Sequence, residues 1–283
     1  MKQKNFSIIN CISTALLAFF FTVPLHEFFH LATFLLNGDK VIYFTSGSVY
    51  AAEANYALLP PLQRILVAGG SASILNAIIG IILLIILLKV EKMPSMLRLF
   101  LTMLMGGHLL EGFGYFLIGG IFAAGDWGNV FSYFQDSPGT VIAMRIILAV
   151  IGAASAVAIL YIATRMTYQF IENPTDKEER KYVSLRVNLV LFLTAFIVGA
   201  LASISLPSVR SGEHSYWMFF IYNSMWFIYL VAFFYAWGGI MVKPAKAAPF
   251  RCKLPEKPYP VVWVIAVALT LVDIFVFGPG IYF

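Results

Sequence analysis

Apolar residues run along this chain in blocks far longer than a soluble core element needs, separated by short polar stretches that carry Pro, Gly or clustered charge. A helix needs about 20 apolar residues to cross about 30 Å of hydrocarbon. Seven blocks suit that length: Ile8–Leu36, Ile65–Leu88, Leu97–Ala124, Val141–Tyr161, Leu185–Leu206, Ser215–Val242 and Val261–Phe277. The segments around Pro174, Pro207 and Pro244–Pro258 break the apolar pattern and read as connections. The pattern predicts an all-α polytopic membrane protein of seven transmembrane helices in a lipid bilayer. One stretch departs from it. Val41–Tyr50 is rich in β-branched and aromatic residues around Ser46-Gly47-Ser48, which predicts a small membrane-dipping β-hairpin directly after the first span.

Composition agrees with the pattern, at 60% hydrophobic and 12% charged residues. A mean hydropathy of +0.85 lies outside the soluble range. The net charge of +5 comes largely from short basic loops, so it reports orientation and gives no case for nucleic acid. With the N-terminus in the cytoplasm, fifteen of the 19 Lys and Arg fall on the cytoplasmic side, and Lys40, Arg64, Arg145 and Arg210 fall on the other. That asymmetry predicts N-in, C-out and an odd number of spans. Lys2 and Lys4 precede the first apolar run as in a signal peptide, but the run is too long for one and reads as a retained span. Cys11 and Cys252 have no metal-ligand spacing and support neither a disulfide framework nor a thiolate site.

The chemistry lies in the first span. His26-Glu27-Phe28-Phe29-His30 places two imidazoles one helical turn apart, where they face the same way and can hold a zinc ion together. Glu27 between them stands as the general base that activates water. A catalytic zinc takes three protein ligands, so a third comes from another span. The ionisable residues within or at the ends of spans are His108, Glu111, Asp126 and Asp273. Asp126 fits best, because parallel first and third spans bring their late parts level. His108 precedes it by about 27 Å in a continuous helix. A break at Gly119-Gly120 would change that, so His108 and Glu111 stay in reserve. Glycines at 106, 107, 112, 114, 119 and 120 suit the third span for close docking against the metal helix. Pro24, two residues before His26, predicts a kink.

These residues resemble the site-2 protease family of intramembrane zinc metalloproteases. His26-Glu27-Phe28-Phe29-His30 is similar to the family's His-Glu-x-x-His in its first core span, and Asp126 resembles the aspartate ligand of the third. Val67–Ser73 resembles the Gly-Pro-x-x-Asn stretch between them. Here Gly70 stands where proline is usual and Ser73 where asparagine is usual, with Asn76 one turn further on. Trp127 stands where glycine typically follows the aspartate. The hairpin is similar in position to the family's membrane-dipping β element.

The resemblance covers residues 1–135, a three-span core, and leaves 136–283 as four further spans without a motif. It implies a zinc endopeptidase with ligands His26, His30 and Asp126, base Glu27, and supporting residues Ser73 and Asn76. The substrate is then a membrane-anchored protein, its cleaved segment held in extended form against the Val41–Tyr50 edge. Three rival readings are a catalytically silent homologue that binds membrane proteins, a metal-ion or proton-coupled transporter, and a zinc hydrolase of lipid amides. All three inferred ligands and Glu27 are present, which argues against a silent homologue. A transporter predicts repeated halves, which are not seen. A lipid amidase predicts more metal-ligand residues in the later spans.

Overall fold

The computed structural model describes residues 8–52, 56–205, 224–242 and 250–283. Among these, six helices are long and apolar enough to cross a membrane. The first, Ile8–Asn37, is divided at Phe21-Thr22 into α1 (Ile8–Phe20) and α2 (Val23–Asn37). Pro24 sits in the first turn of α2, where its missing N–H costs nothing. The break falls just before it.

The other long helices are α3 (Pro61–Lys89), α4 (Ser95–Phe122), α6 (Pro138–Phe170), α7 (Lys177–Ser203) and α9 (Pro260–Phe277). Between α4 and α6 lies the short α5 (Gly125–Ser132), and α8 (Ser224–Gly238) is a shorter apolar helix among the described residues. The expected sixth span, Ser215–Val242, lies partly outside the described residues, and α8 is its described part.

Several helices overrun their apolar blocks. α7 starts at Lys177 because the Asp176 carboxylate accepts hydrogen bonds from the Glu178 and Glu179 amides, capping a charged first turn.

The hairpin is present. β1 (Val41–Phe44) pairs antiparallel with β2 (Val49–Ala51). Its other side is not open, because β3 (Ile281–Tyr282), just after the last span, pairs with β1. The order is β2-β1-β3. Of the Val41–Tyr50 hairpin expected to receive a substrate strand, the β1 side is therefore covered by this chain.

The first and last spans run side by side in the same direction. At one end the Asn10 side chain bonds Pro255 O, Lys257 O and the Tyr259 amide. At the other, Phe277 stacks on Phe20 and meets Phe44 edge-on.

The largest buried cluster draws on residues from Cys11 to Leu254 and so ties both halves of the chain together. Arg98, buried at the start of α4, closes the α3–α4 turn by donating to Leu87 O, Val90 O, Glu91 O and the Gln169 side chain.

The α4 glycines do not form one docking stripe against the first span. Only Gly107 meets it, at Thr22, whereas Gly112 meets Ala77 of α3, Gly114 meets Met225, and Gly120 meets Ala149 of α6. Small residues let α4 sit at the centre, touching a different neighbour on each side.

A Cβ on Gly112 would lie 2.5 Å from the Ala77 backbone nitrogen, and backbone cannot yield as a side chain can. Gly112→Ala should therefore cost about 1–3 kcal/mol of stability. Gly139, with nothing within 4 Å of such an atom, should tolerate alanine within about 1 kcal/mol. Thermal unfolding of the two variants in detergent measures the contrast.

Candidate metal centre

His26 and His30 lie on the same face of α2, and both rings point into the protein with 1% and 7% of their surface exposed. Their Nε2 atoms approach one carboxylate: His26 Nε2 lies 3.0 Å from Asp126 Oδ2, and His30 Nε2 lies 3.2 Å from Asp126 Oδ1. The three ligand atoms fall within 4.8 Å of one another. Two imidazoles and a carboxylate around one point form a donor set that suits zinc. A buried group of this composition can hold a metal ion.

Asp126 arrives by a route that a continuous third span does not provide. α4 ends at Phe122, Ala123 adopts a left-handed conformation (φ 50°), and Gly125 has φ 63°. Arg145 of α6 donates to the freed carbonyls of Gly120 and Ile121, which would otherwise lack partners at a helix end. The chain then folds back, with Trp127 packed against Gly119 and the Phe116 ring, and Asp126 falls in the first turn of α5. The break lies after Phe122, not at Gly119-Gly120.

The second span reaches the same point through a kink within Leu66–Gly70. Within it Gly69 has φ 150°, and a Cβ there would come within 2.6 Å of the Asp126 carbonyl oxygen. Glycine is what this close approach requires. One turn on, Ser73 donates from Oγ to Asp126 Oδ2 at 3.1 Å, and the Asn76 amide meets His26 Nδ1 at 2.7 Å. Both supporting residues read from the sequence are thus at the site.

His108 is there too, one step removed. Its Nδ1 lies 2.6 Å from Asn76 Oδ1, so Asn76 links it to His26. The sequence excluded His108 only as a ligand sharing one ion with Asp126, and the candidate group holds His26, His30 and Asp126 without it.

Glu111 is buried one turn beyond His108, within electrostatic reach of His26, Glu27 and Asp126. Glu27 is buried at 6% exposure, within electrostatic reach of both imidazoles. Asp273 is not part of the group. It is fully buried in the last span, near Ser46 at the hairpin tip.

Two contributors went unread in the sequence. Tyr115 stacks on the His26 ring, with centroids 4.7 Å apart and planes at 21°. Its spacing of seven from His108, two turns on one helix face, was the available signal. Gly69 was seen only as part of a motif.

A polar network lies at the C-terminal end of α2. The Tyr56 hydroxyl donates to Asp39 Oδ2, Gln63 to Asn37, and Arg64 to Leu59 O and Tyr133 O. Burial raises the pKa of the Tyr56 hydroxyl above its usual value, and the bond to the Asp39 carboxylate adds to the shift.

Comparison with protein-family models, curated proteins and solved structures finds no match. What the centre can do is read from its own geometry.

If this group is the metal site, exchanging both imidazoles by His26→Ala with His30→Ala should remove stoichiometric zinc from the purified protein. Asp126→Asn keeps the shape but loses the charge, and should weaken loading measurably. Elemental analysis after dialysis against a buffered zinc concentration gives the answer, and full zinc in the double variant would exclude the site.

Proposed function

We propose that this chain is an intramembrane zinc endopeptidase of the site-2 type, cutting a peptide bond of a membrane-anchored protein. One observation carries the reading: a buried His26-His30-Asp126 group beside a buried Glu27, placed in apolar helices long enough to span a bilayer. Polar groups at such depth are costly and are kept for function.

His26, His30 and Asp126 would hold the zinc, which when bound lowers the pKa of water toward ~7 and polarises a carbonyl. Glu27 accepts the water proton on its carboxylate and later delivers it to the leaving amide nitrogen. Ser73 keeps Asp126 turned toward the imidazoles, and Asn76 with Tyr115 fixes the His26 ring.

The membrane arrangement proposed with it is seven crossings, N-in. Parallel first and last spans require an odd number of crossings, which supports one more between Ser203 and Pro260, through α8. Arg64 and Arg145, on the site's side, are committed to carbonyl oxygens of the protein. Lys40 is the exposed cation among the described residues on that face, in keeping with a face poor in positive charge.

Glu27→Gln separates a working enzyme from a silent, metal-holding homologue. It should retain zinc and lose about 10²–10⁴-fold in cleavage rate, since it removes only the proton acceptor. Proteoliposomes carrying either form, mixed with membrane-protein extracts and read by sequencing new N-termini, measure this. Equal cleavage by both forms would assign the chemistry elsewhere.

Since β3 covers the β1 edge, an extended substrate must displace it to pair there. Ending the chain at Gly278 should raise the cleavage rate in the same assay. A fall would place the substrate away from that edge.

A further inference from the structure

Asn76 stands between two buried histidines, all three residues being no more than 1% exposed. Its amide nitrogen meets His26 Nδ1 at 2.7 Å and its amide oxygen meets His108 Nδ1 at 2.6 Å. A primary amide has one donor end and one acceptor end, and half a turn about its bond exchanges them. Whichever end faces His26, the other faces His108. One imidazole must then carry a proton on Nδ1 while the other presents a bare Nδ1.

The bonds described here correspond to one of the two settings. The Asn76 amide donates to a bare His26 Nδ1, the His26 proton sits on Nε2 toward Asp126, and His108 donates from Nδ1 to the Asn76 oxygen. A metal ion demands the other setting. His26 must offer the lone pair of Nε2, the atom that faces Asp126, so its proton moves to Nδ1 and needs an acceptor. The Asn76 oxygen becomes that acceptor, its NH2 turns to His108, and the His108 proton moves to Nε2. Each imidazole keeps one proton throughout, so no charge changes.

We propose that His108 is a positioning residue for the metal centre, fixing the tautomer of His26 through the Asn76 amide and changing its own tautomer when metal is held. The proposal rests on the metal-centre reading above. It assigns a task to a buried histidine that touches neither the three ligands nor Glu27 in any described hydrogen bond. Outer partners of ligating histidines carry measurable affinity, commonly about 10–100-fold.

The test is a double-mutant cycle in zinc affinity, measured by chelator competition on the full chain in detergent. His108→Leu should weaken zinc binding about 10–100-fold. Asn76→Asp supplies a side chain that accepts from His26 whatever lies on its far side, so in that background His108→Leu should change nothing. An equal loss in both backgrounds would reduce His108 to packing and overturn the proposal, as would no loss in the native background.

A second measurement does not depend on variants that may fold poorly. The chain has only four histidines, so ¹⁵N-histidine spectra are assignable. The zinc-loaded protein should show His108 as the Nε2–H tautomer, and Nδ1–H persisting with zinc bound would overturn the relay. Native protein that takes up no zinc fails the underlying reading instead, a result distinct from an additive cycle.

Discussion

A carboxylate in apolar surroundings must be hydrogen-bonded and charge-paired, and this structure is organised around meeting that demand for Asp126. Its oxygens face His26 and His30 from the first span and Ser73 from the second, while the residue itself follows the third. One side chain therefore draws three spans to a point. Two imidazoles and one carboxylate, all turned inward, form an arrangement that suits a divalent cation. The next shell obeys the same rule, since His26 Nδ1 is met by Asn76 and Asn76 by His108. Each buried polar atom in the series is satisfied by the next, and that fixes ring orientations that packing alone would leave free.

Bringing a carboxylate to that point requires backbone to approach backbone. At the end of α4 the left-handed Ala123 and the positive φ of Gly125 turn the chain through a reversal, and Gly119 leaves room for Trp127 to lie back on α4. From the other side, the kink in α3 offers Gly69 to the Asp126 main chain. Beyond that kink Ser73 and Asn76 face the centre while the helix continues to Lys89.

The sequence made the architecture legible where physics is local. Span length follows from the apolar runs, and the hairpin follows from β-branched and aromatic residues around a Gly turn. The His26–His30 pair follows from helical spacing. Asp126 was reached through a premise the structure does not support, a third span continuing straight to it. The residue is at the centre because the chain turns back. The same premise excluded His108 only as a ligand, and it belongs to the hydrogen-bonded series instead. Helix reversal depends on tertiary partners such as Arg145, 25 residues away from the Gly120 carbonyl it caps, and no periodicity reports that. Strand order was equally hidden, for a two-residue strand such as β3 carries no pattern of its own.

Depth sets what such a centre can act on. His26 and His30 lie 11 and 7 residues before Asn37, hence about 16 and 10 Å along the helix from its end. The polar frame of Asn37, Asp39, Tyr56, Gln63 and Arg64 begins at that end. A helical substrate hides its carbonyls in its own hydrogen bonds. It would have to unwind over this distance before a carbonyl reached Glu27. The unwound backbone then needs partners, and the nearest set of ladder groups is the β-sheet beside α2. Its inner strand is already paired on both sides within this chain. Under the proposed function, a strand entering beside β1 would take the place of β3, an exchange of like for like whose cost is small compared with leaving a peptide backbone bare in hydrocarbon.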